Sequence, residues 1–283
     1  SVPYSSTSNT ISITGVSPGS YSWGVQTPIP EGTEVQYIAP PTSGTINVPS
    51  QLSQSITYTI QYYLTVTSAQ DTPTPTSGWF DAGTPITASV TSPWPVGATD
   101  TRYVCTGWTG TGSVPSSGTD TSVTFTIHEA SSITWDWETQ FQVTFDQTGL
   151  DDSASGTIVT IDSVTKTKSD LPFTAWFDID TTYSYTNPVS SSEPGKRFRL
   201  DSVTGPDSPI VGSGTVTGNY ETQYYLTLAT DPSGVNAPSG ADWYDDGTHA
   251  SISTEQYVDT EACSSRYRFD GWTTADMVEI TNP

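Results

Sequence analysis

Positive charge is the scarcest feature of this 283-residue chain, which has eight Lys and Arg residues against 30 Asp and Glu. The formal net charge of −22 repels nucleic-acid phosphates and anionic lipid surfaces, so we expect neither as a partner. The chain has no run of about 18 apolar residues, so no membrane insertion is expected in this segment. Residue 1 is a serine and no signal peptide is visible, which predicts a processed mature chain.

Cysteine and histidine are also rare, with two residues of each type. Cys105 and Cys263 lie in different repeats, so a bridge within one domain is not expected, whereas one between subunits stays open. Cys105 takes the place of Phe269 and is predicted to point into a core. His128 and His249 belong to no nucleophile elbow and no His-Glu-x-x-His pattern. No catalytic residues are therefore predicted, and we expect no enzyme.

Aromatic residues, by contrast, are plentiful, with nine Trp and fifteen Tyr. The rest is dominated by Ser, Thr, Gly and Pro, and β-branched residues come in short alternating runs. No stretch has helical periodicity. This composition predicts an all-β chain of small tandem domains, each a β-sandwich or β-grasp-like sheet.

One sequence unit occurs twice, and we call residues 61–119 copy A and residues 223–283 copy B. Gln61 to Thr65 recurs as Gln223 to Thr227, a shift of 162 (223 − 61). The next two blocks recur with a shift of 164: Ser77 to Gly83 as Ala241 to Gly247, and Arg102 to Trp108 as Arg266 to Trp272. The two copies are therefore expected to share one fold.

Copy B stops at Pro283, level with Thr119 of copy A. Copy A runs on through two strand-like segments, Val123 to Ile127 and Ile133 to Trp137. A sheet that lacks its closing strands has open edges and an uncovered core face. The sequence thus predicts an acceptor surface in copy B, formed by Trp243, Tyr267, Phe269 and Trp272.

Three glutamines mark the domain junctions, because each is preceded and followed by a strand-like run. Gln61, Gln140 and Gln223 are 79 and 83 positions apart (140 − 61 and 223 − 140). The last strand of one domain therefore leads into the first strand of the next without a linker, which predicts an elongated, stiff rod. The predicted domains are 1–60, 61–140 (copy A and its closing strands), 141–222 and 223–283.

The predicted strands are short and separated by turns. In the first domain they are Thr10–Thr14, Ser20–Val25, Glu34–Ile38, Thr45–Val48 and Gln54–Thr59. In the second they are 62–67, 84–91, 101–108, 121–127 and 132–138. In the third they are Gln142–Phe145, Thr157–Ile161, Phe173–Phe177, Thr182–Thr186, Arg197–Val203 and Thr215–Tyr220.

A family resemblance rests on the motif Gly78-Trp79-Phe80-Asp81-Ala82-Gly83-Thr84 followed by Arg102-Tyr103 and Gly107-Trp108. It resembles the divergent internalin-type B-repeats, tandem units of archaeal and bacterial cell-surface proteins. Copy B departs from the motif at Asp242 and Asp246. The segment from Gly15 to Val48 is similar to short Pro-Gly-Tyr-type repeats of archaeal exported proteins. The resemblance implies a non-catalytic β-repeat protein that is extracellular or bound to the cell surface, and it names no ligand.

Two kinds of side chain are candidates for ligand binding. Trp135 and Trp137 lie two apart on one strand face and are the best candidates for a platform on which sugars stack, although packing in an interdomain core is the favoured interpretation. Four carboxylates in acidic loops are weak calcium candidates, because calcium prefers six to eight oxygen ligands. They are Asp178, Asp180, Asp245 and Asp246, for which a solvated acidic surface is the alternative. No other cofactor is predicted.

Covalent cross-links are a further hypothesis. A lysine isopeptide bond is excluded outside the third domain, because Lys166, Lys168 and Lys196 all lie there. Ester bonds between a threonine and a junction glutamine stay open.

Three functions fit these observations. The first is a subunit of a surface filament or pilus-like fibre, in which copies of the chain join head to tail by strand donation. The donor is then the segment from Ser1 to Thr14, above all Thr10, Ile11, Ser12, Ile13 and Thr14. The second is an adhesin or stalk segment of a larger cell-surface or S-layer protein. The third is a carbohydrate-binding accessory region, with surface glycans as its partner.

Overall fold

A computed structural model describes residues 15–51, 53–260 and 265–274, and these residues are essentially all-β. They contain no α-helix and one short 3₁₀ helix, Lys168–Asp170. None of them forms a helix long and apolar enough to cross a membrane. The chain divides into two compact units, residues 1–98 with 102–139, and residues 99–101 with 140–283.

The first unit is built from short strands and two long ones. Its strands are β1 (Gly19–Gly24), β2 (Ile29–Glu31), β3 (Val35–Ile38), β4 (Ser43–Val48), β5 (Thr59–Ser68), β6 (Gly78–Asp81), β7 (Pro85–Ser89), β8 (Thr101–Thr111), β9 (Ser117–Gly118), β10 (Ser122–Thr126) and the start of β11 (Ser131–Thr148).

Strand β5 organises the sheet of this unit. It pairs antiparallel with β3 and β6, and its second half, Leu64 to Ser68, pairs in parallel with Ser131 to Trp135 of β11. β8 pairs with β11 and β9, and β2 pairs with β3. β1 with β4, and β7 with β10, form separate two-stranded sheets.

The core of this unit lies in copy A and its closing strands. Alternation in β10 (Ser-Val-Thr-Phe-Thr) sends Val123 and Phe125 inward and the hydroxyl residues outward. They join Leu64, Ile86, Ala88, Cys105, Trp108, Val114, Ile127, Ile133 and Trp135 in one buried cluster. Cys105 is buried as predicted, and burial raises the pKa of its thiol.

The second unit continues β11 and adds eleven strands. They are β12 (Ala154–Ser155), β13 (Val159–Ile161), β14 (Val164–Lys166), β15 (Phe173–Asp178), β16 (Tyr183–Tyr185), β17 (Val189–Ser191), β18 (Lys196–Thr204), β19 (Gly214–Tyr225), β20 (Trp243–Asp245), β21 (Tyr257–Asp259) and β22 (Arg266–Arg268).

Here β11 and β19 form the centre of the sheet. Val143 to Thr148 of β11 pairs in parallel with Gly214 to Asn219 of β19. β15 joins β11, while β18 and β20 join β19, all antiparallel. β17 connects β18 to β12. β13 lies between β14 and β16, and β21 pairs with β22.

Two buried clusters support this sheet. Phe145, at the centre of the first, makes edge-to-face contacts with Phe177 at 5.5 Å and Tyr183 at 5.1 Å between ring centroids. In the second, the hydroxyl of Tyr220 donates to the Thr186 carbonyl oxygen at 2.9 Å. Burial raises the pKa of Tyr220 far above its usual range, so this hydroxyl stays a donor.

Most predicted strands are present, and the differences have physical reasons. The prediction for Gln54–Thr59 is wrong, since the described residues of 53–58 join no ladder and β5 begins at Thr59. β6 was not predicted as a strand, because Gly78 and the turn residues around it are typical of a turn. Its four residues nevertheless pair with β5. The predicted strand Thr10–Thr14 lies outside the described residues.

Candidate functional site

The junction glutamines occupy equivalent places in long, continuous strands. Gln61 lies in β5, Gln140 in β11 and Gln223 in β19. A strand extends well to both sides of Gln140, whereas β5 begins at Thr59, two residues before Gln61, and β19 ends at Tyr225, two residues after Gln223. The expected passage from the last strand of one domain into the first of the next is therefore present at Gln140 and incomplete at the other two glutamines.

Each junction glutamine forms the same cross-strand pair with an aspartate. The Nε2 of Gln61 donates to Oδ1 of Asp81 at 2.8 Å, and the two residues are directly opposite in β5 and β6. Gln140 and Asp178 form this pair at 2.7 Å. The third pair joins Gln223 to Asp245 at 2.8 Å. The sequence contained every one of these residues, but the pairing depends on strand register, which sequence spacing alone did not give.

On the other side, two of these glutamines accept a hydrogen bond from the neighbouring strand. Gln36 Nε2 donates to Oε1 of Gln61 at 2.8 Å, and Arg197 Nε donates to Oε1 of Gln223 at 2.7 Å. The amide groups of Gln61 and Gln223 therefore bridge three strands each. The side-chain amide nitrogen of each of these two glutamines donates a hydrogen bond to an aspartate. This arrangement gives no support to an ester bond between either glutamine and a threonine.

Copy B reproduces the first half of copy A in detail. Tyr225 packs on Trp243 with ring centroids 5.3 Å apart, as Tyr63 packs on Trp79 at 5.2 Å. Val258 pairs with Tyr267 in β21 and β22, at the positions of the Trp94–Tyr103 bridge in copy A. The repeat predicted from the sequence is thus a structural repeat.

The two copies differ in burial. In copy A, Leu64, Cys105 and Trp108 are buried in the core. In copy B, among the described residues 224–260 and 265–274, no side chain is buried. Phe269, in the place of Cys105, is 38% exposed, and Trp272, in the place of Trp108, is only partly buried. The shared residues of copy B therefore surround an uncovered core.

The predicted acceptor residues fall into two groups. Trp243 lies in β20, under the guanidinium of Arg197, whose central carbon is 4.3 Å from the ring centroid. Phe269 contacts Trp272 at 5.2 Å, next to the exposed Tyr267 of β22. Three further exposed aromatic residues, which the sequence analysis missed, belong to the same repeat: Tyr224, Tyr225 and Tyr257.

Two segments of copy B lack the strand partners that their counterparts have. Leu64 to Ser68 pairs with β11, but its counterpart 226–230 joins no ladder. β7 pairs with β10, but its counterpart 249–253 (His-Ala-Ser-Ile-Ser) has only the isolated bridge from Ser253 to Ser239. The counterparts of Ser122 to Trp137 would follow residue 283. The shift of 164 between the copies could have identified 249–253 from the sequence.

The missing contacts can be read from copy A. Gly83 N–H donates to the Ile127 carbonyl oxygen at 2.7 Å, and Ile127 N–H donates to that of Thr84 at 3.1 Å. Val90 N–H donates to the Thr121 carbonyl oxygen at 3.1 Å. These bonds flank the five-residue ladder of β7 and β10. Copy B thus presents backbone groups and apolar side chains for a strand like β10 and for one like the start of β11.

The calcium candidates do not come together. Asp178 accepts from Gln140, and Asp245 accepts from Gln223 and from Arg199 Nε at 3.3 Å. These bonds, Gln223 first, lower the pKa of Asp245. Asp180 and Asp246 are exposed. Across residues 15–51, 53–260 and 265–274, no three His, Cys, Asp or Glu side chains form a group that could hold a metal ion.

The tryptophan platform is not an exposed one. Trp135 is 2% exposed and contacts Trp108 edge-to-face at 5.8 Å, in the core of copy A. Trp137 packs against the same cluster, and its Nε1 donates to Ser68 Oγ at 2.9 Å. Packing of these two residues in a core is confirmed, but the core lies within the first unit and not between domains, and the stacking interpretation is wrong for Trp135.

One lysine lies close to carboxylates. Lys196 Nζ is 2.6 Å from Oδ2 of Asp151 and 3.2 Å from Oε2 of Glu193. The hydrogen bond from Lys196, helped by two from Ser153, lowers the pKa of Asp151 to about 2. The lysine pKa is raised. Both groups are therefore ionised at neutral pH, which favours an ion pair and opposes condensation to an isopeptide bond.

Comparison with protein-family models, curated proteins and solved structures finds no match. The resemblance to B-repeats therefore stays a prediction, and the fold and site are interpreted from this chain alone.

Proposed function

We propose that this chain is a non-catalytic extracellular structural protein, a subunit of a surface filament whose copies join head to tail by strand donation into copy B. The observation that carries the proposal is the loss of strand pairing at 226–230 and 249–253, whose counterparts in copy A are paired. Exposed backbone donors and acceptors of this kind are templates for a strand from another chain.

The segment Thr10–Thr14 fits the second of these places. Its sequence Thr-Ile-Ser-Ile-Thr has the alternation of β10, Ser-Val-Thr-Phe-Thr, in which only the two apolar residues are buried. Ile11 and Ile13 would take the places of Val123 and Phe125, opposite Ile252 and Ala250. Burying an isoleucine side chain contributes roughly 1.5–3 kcal/mol, to which the backbone hydrogen bonds add.

The surface composition supports the same function. A net charge of −22 makes copies of the chain repel one another, so an open sheet edge pairs only where specific strand contacts outweigh this repulsion. Cys105, the free cysteine among the described residues, is buried, so the described surface carries no thiol that oxidation would damage. Both properties suit an exposed extracellular fibre.

Electron microscopy of the purified chain tests the proposal. We expect regular filaments from residues 1–283, and their loss in Ile11→Asp/Ile13→Asp, because two carboxylates cannot enter an apolar core. Ser12→Asp is the matched control, since in the proposed pairing residue 12 would face away from that core and its replacement should leave filaments intact.

Single particles from the unaltered chain would contradict the filament proposal. That outcome would favour the alternative of a stalk or adhesin segment in a larger surface protein, with chain beyond residue 283 completing copy B. Filaments that persist in Ile11→Asp/Ile13→Asp would exclude Thr10–Thr14 as the donor.

A further inference from the structure

The junction strands follow one pairing rule. The strand segment after a junction glutamine pairs in parallel with the segment before the next one. Leu64 pairs with Ser131, and Val143 pairs with Gly214. In both cases a residue three positions after one glutamine (64 − 61, 143 − 140) meets a residue nine positions before the next (140 − 131, 223 − 214). The register is therefore the same in two independent pairs.

This rule leaves two segments of the described chain without a parallel partner strand. The segment 226–230, which follows Gln223, joins no ladder. The segment 53–58, which precedes Gln61, joins none either. The first segment follows the last junction glutamine, and no described segment precedes a further glutamine to pair with it. The second segment precedes the first junction glutamine, and no described segment follows an earlier glutamine to pair with it. Each copy of the chain thus carries one complementary half of the same parallel pair.

We propose that residues 53–58 of one copy pair in parallel with residues 226–230 of a second copy, in the register that the chain uses internally. This inference rests on the proposed filament and names a second pair of joining strands. The rule places Ser53 opposite Thr227. The internal equivalents are Ser132 opposite Thr65 and Thr215 opposite Thr144, so a hydroxyl residue occupies every one of these positions.

The side chains of 53–58 fit most of the places they would fill. Ile56 matches the buried Trp135 and Gly218, five positions before the glutamine. Tyr58 matches Trp137 and Tyr220, which pack on the two cores. Gln54 stands where Ile133 and Val216 are fully buried and is the departure from the pattern. Ile56 and Tyr58 therefore provide the apolar surface of this segment.

The contact is compatible with Thr10–Thr14 acting as donor, because the two strands occupy different places in copy A. β10 pairs with β7, whereas the start of β11 pairs with β5. A second copy could supply Thr10–Thr14 at 249–253 and 53–58 at 226–230. Since the contact joins different surfaces of two identical chains, it is heterologous and extends into a fibre unless the rotation between copies closes a ring.

Disulfide trapping in the full chain tests this register. In a Cys263→Ser background, Ser53→Cys chains are mixed with Thr227→Cys chains under oxidising conditions. We expect a disulfide-linked dimer as the main product, because directly paired residues have the Cα separation that a disulfide requires. The double variant Ser53→Cys/Thr227→Cys should give a ladder of multimers. Ser53→Cys mixed with Thr222→Cys is the off-register control and should stay unlinked.

Three outcomes would overturn the inference. A cross-linked monomer from the double variant would place the pair within one chain. A dimer from Ser12→Cys with Thr227→Cys, and none from Ser53→Cys, would give this place to Thr10–Thr14. Filaments that form without any cross-link between positions 53 and 227 would contradict this strand pairing but not the proposed filament. If the unaltered chain forms no assembly at all, the proposed function fails first.

Discussion

At the scale of single residues, the three glutamine–aspartate pairs are the clearest shared device. In each pair the side-chain amide of a junction glutamine donates to the carboxylate of the aspartate opposite it on the neighbouring strand. A side-chain amide is well suited to this place, because it donates to a carboxylate on one side and accepts on the other. Gln223 is only 6% exposed, so its side-chain amide has little access to hydrogen bonds from water.

Replacing Gln223 tests this interpretation. In Gln223→Leu we expect the pKa of Asp245 to rise toward its ordinary value of 3.8, because the glutamine amide is the largest cause of its lowering. Arg199 still contacts this carboxylate, so the return should be partial. Carboxyl carbon NMR titration measures it. Gln61→Leu is the matched control and should leave the titration of Asp245 unchanged; an unshifted Asp245 in Gln223→Leu would contradict the account.

The ion pair of Asp151 with Lys196 gives a pH dependence. The folded-state pKa of Asp151, about 2, lies below its ordinary value of 3.8, so its contribution to stability is complete above pH 3.8 and is lost as pH falls through about 2. In Lys196→Met the pKa should rise, but only in part, because Ser153 still donates twice to this carboxylate. Chemical denaturation between pH 5 and 2 should then show a smaller loss of unfolding free energy in Lys196→Met than in the unaltered chain. An equal loss in both proteins would exclude the Asp151–Lys196 pair as its cause.

At the scale of elements, strand pairing explains why similar sequences have different structures in the two copies. Copy A and copy B share the blocks that form β5, β6 and β8, yet the counterpart of β8 in copy B is the three-residue strand β22. β8 pairs with β11, and β11 has no counterpart among the described residues of copy B. Strand propensity alone thus does not produce a strand here, since its ladder partner must also be present.

Truncating one core side chain of the closing strand β10 tests how much this strand contributes to stability. Phe125→Ala should destabilise copy A by roughly 3–5 kcal/mol, because it leaves a cavity beside Ile86. Thr126→Ala, at the exposed end of the same strand, should cost about 0.5 kcal/mol or less. Hydrogen exchange at the amides of β7 and β10 measures both. Exchange accelerated by less than about tenfold in Phe125→Ala would argue against a structural role for β10.

The sequence predicted elements well where alternation and repetition agreed. Val123 and Phe125 alternate with hydroxyl residues, and the structure places them inward. The Gln54–Thr59 prediction failed for the opposite reason, since its residues have strand propensity but no partner among the described residues. The acceptor residues Trp243 and Phe269 followed from the repeat, and the same repeat aligns Tyr224, Tyr225 and 249–253 with copy A. That the segment 249–253 lacks its strand partner required the pairing register of copy A. Pairing over long sequence distances is the information that local patterns do not contain.

At the scale of the whole molecule, the central claim is that one copy of the chain completes another. Copy B offers two unpaired segments, 226–230 and 249–253, and the chain carries sequences that match both missing partners. Growth of this kind needs a donor and an acceptor on every copy. Separating the two functions onto different chains should therefore stop growth after a single step.

Mixing two defective chains is the most direct measurement of this claim. One chain, residues 15–283 with Ile56→Asp, lacks both donor segments but keeps copy B. The other is the full chain with Thr227→Pro and Ile252→Asp, which blocks both of its acceptor edges but keeps both donor segments. By sedimentation velocity we expect each chain alone to be a monomer and the mixture to form a complex of two chains. If the unaltered chain assembles but the mixture stays monomeric, or if either defective chain still forms filaments, the account is wrong.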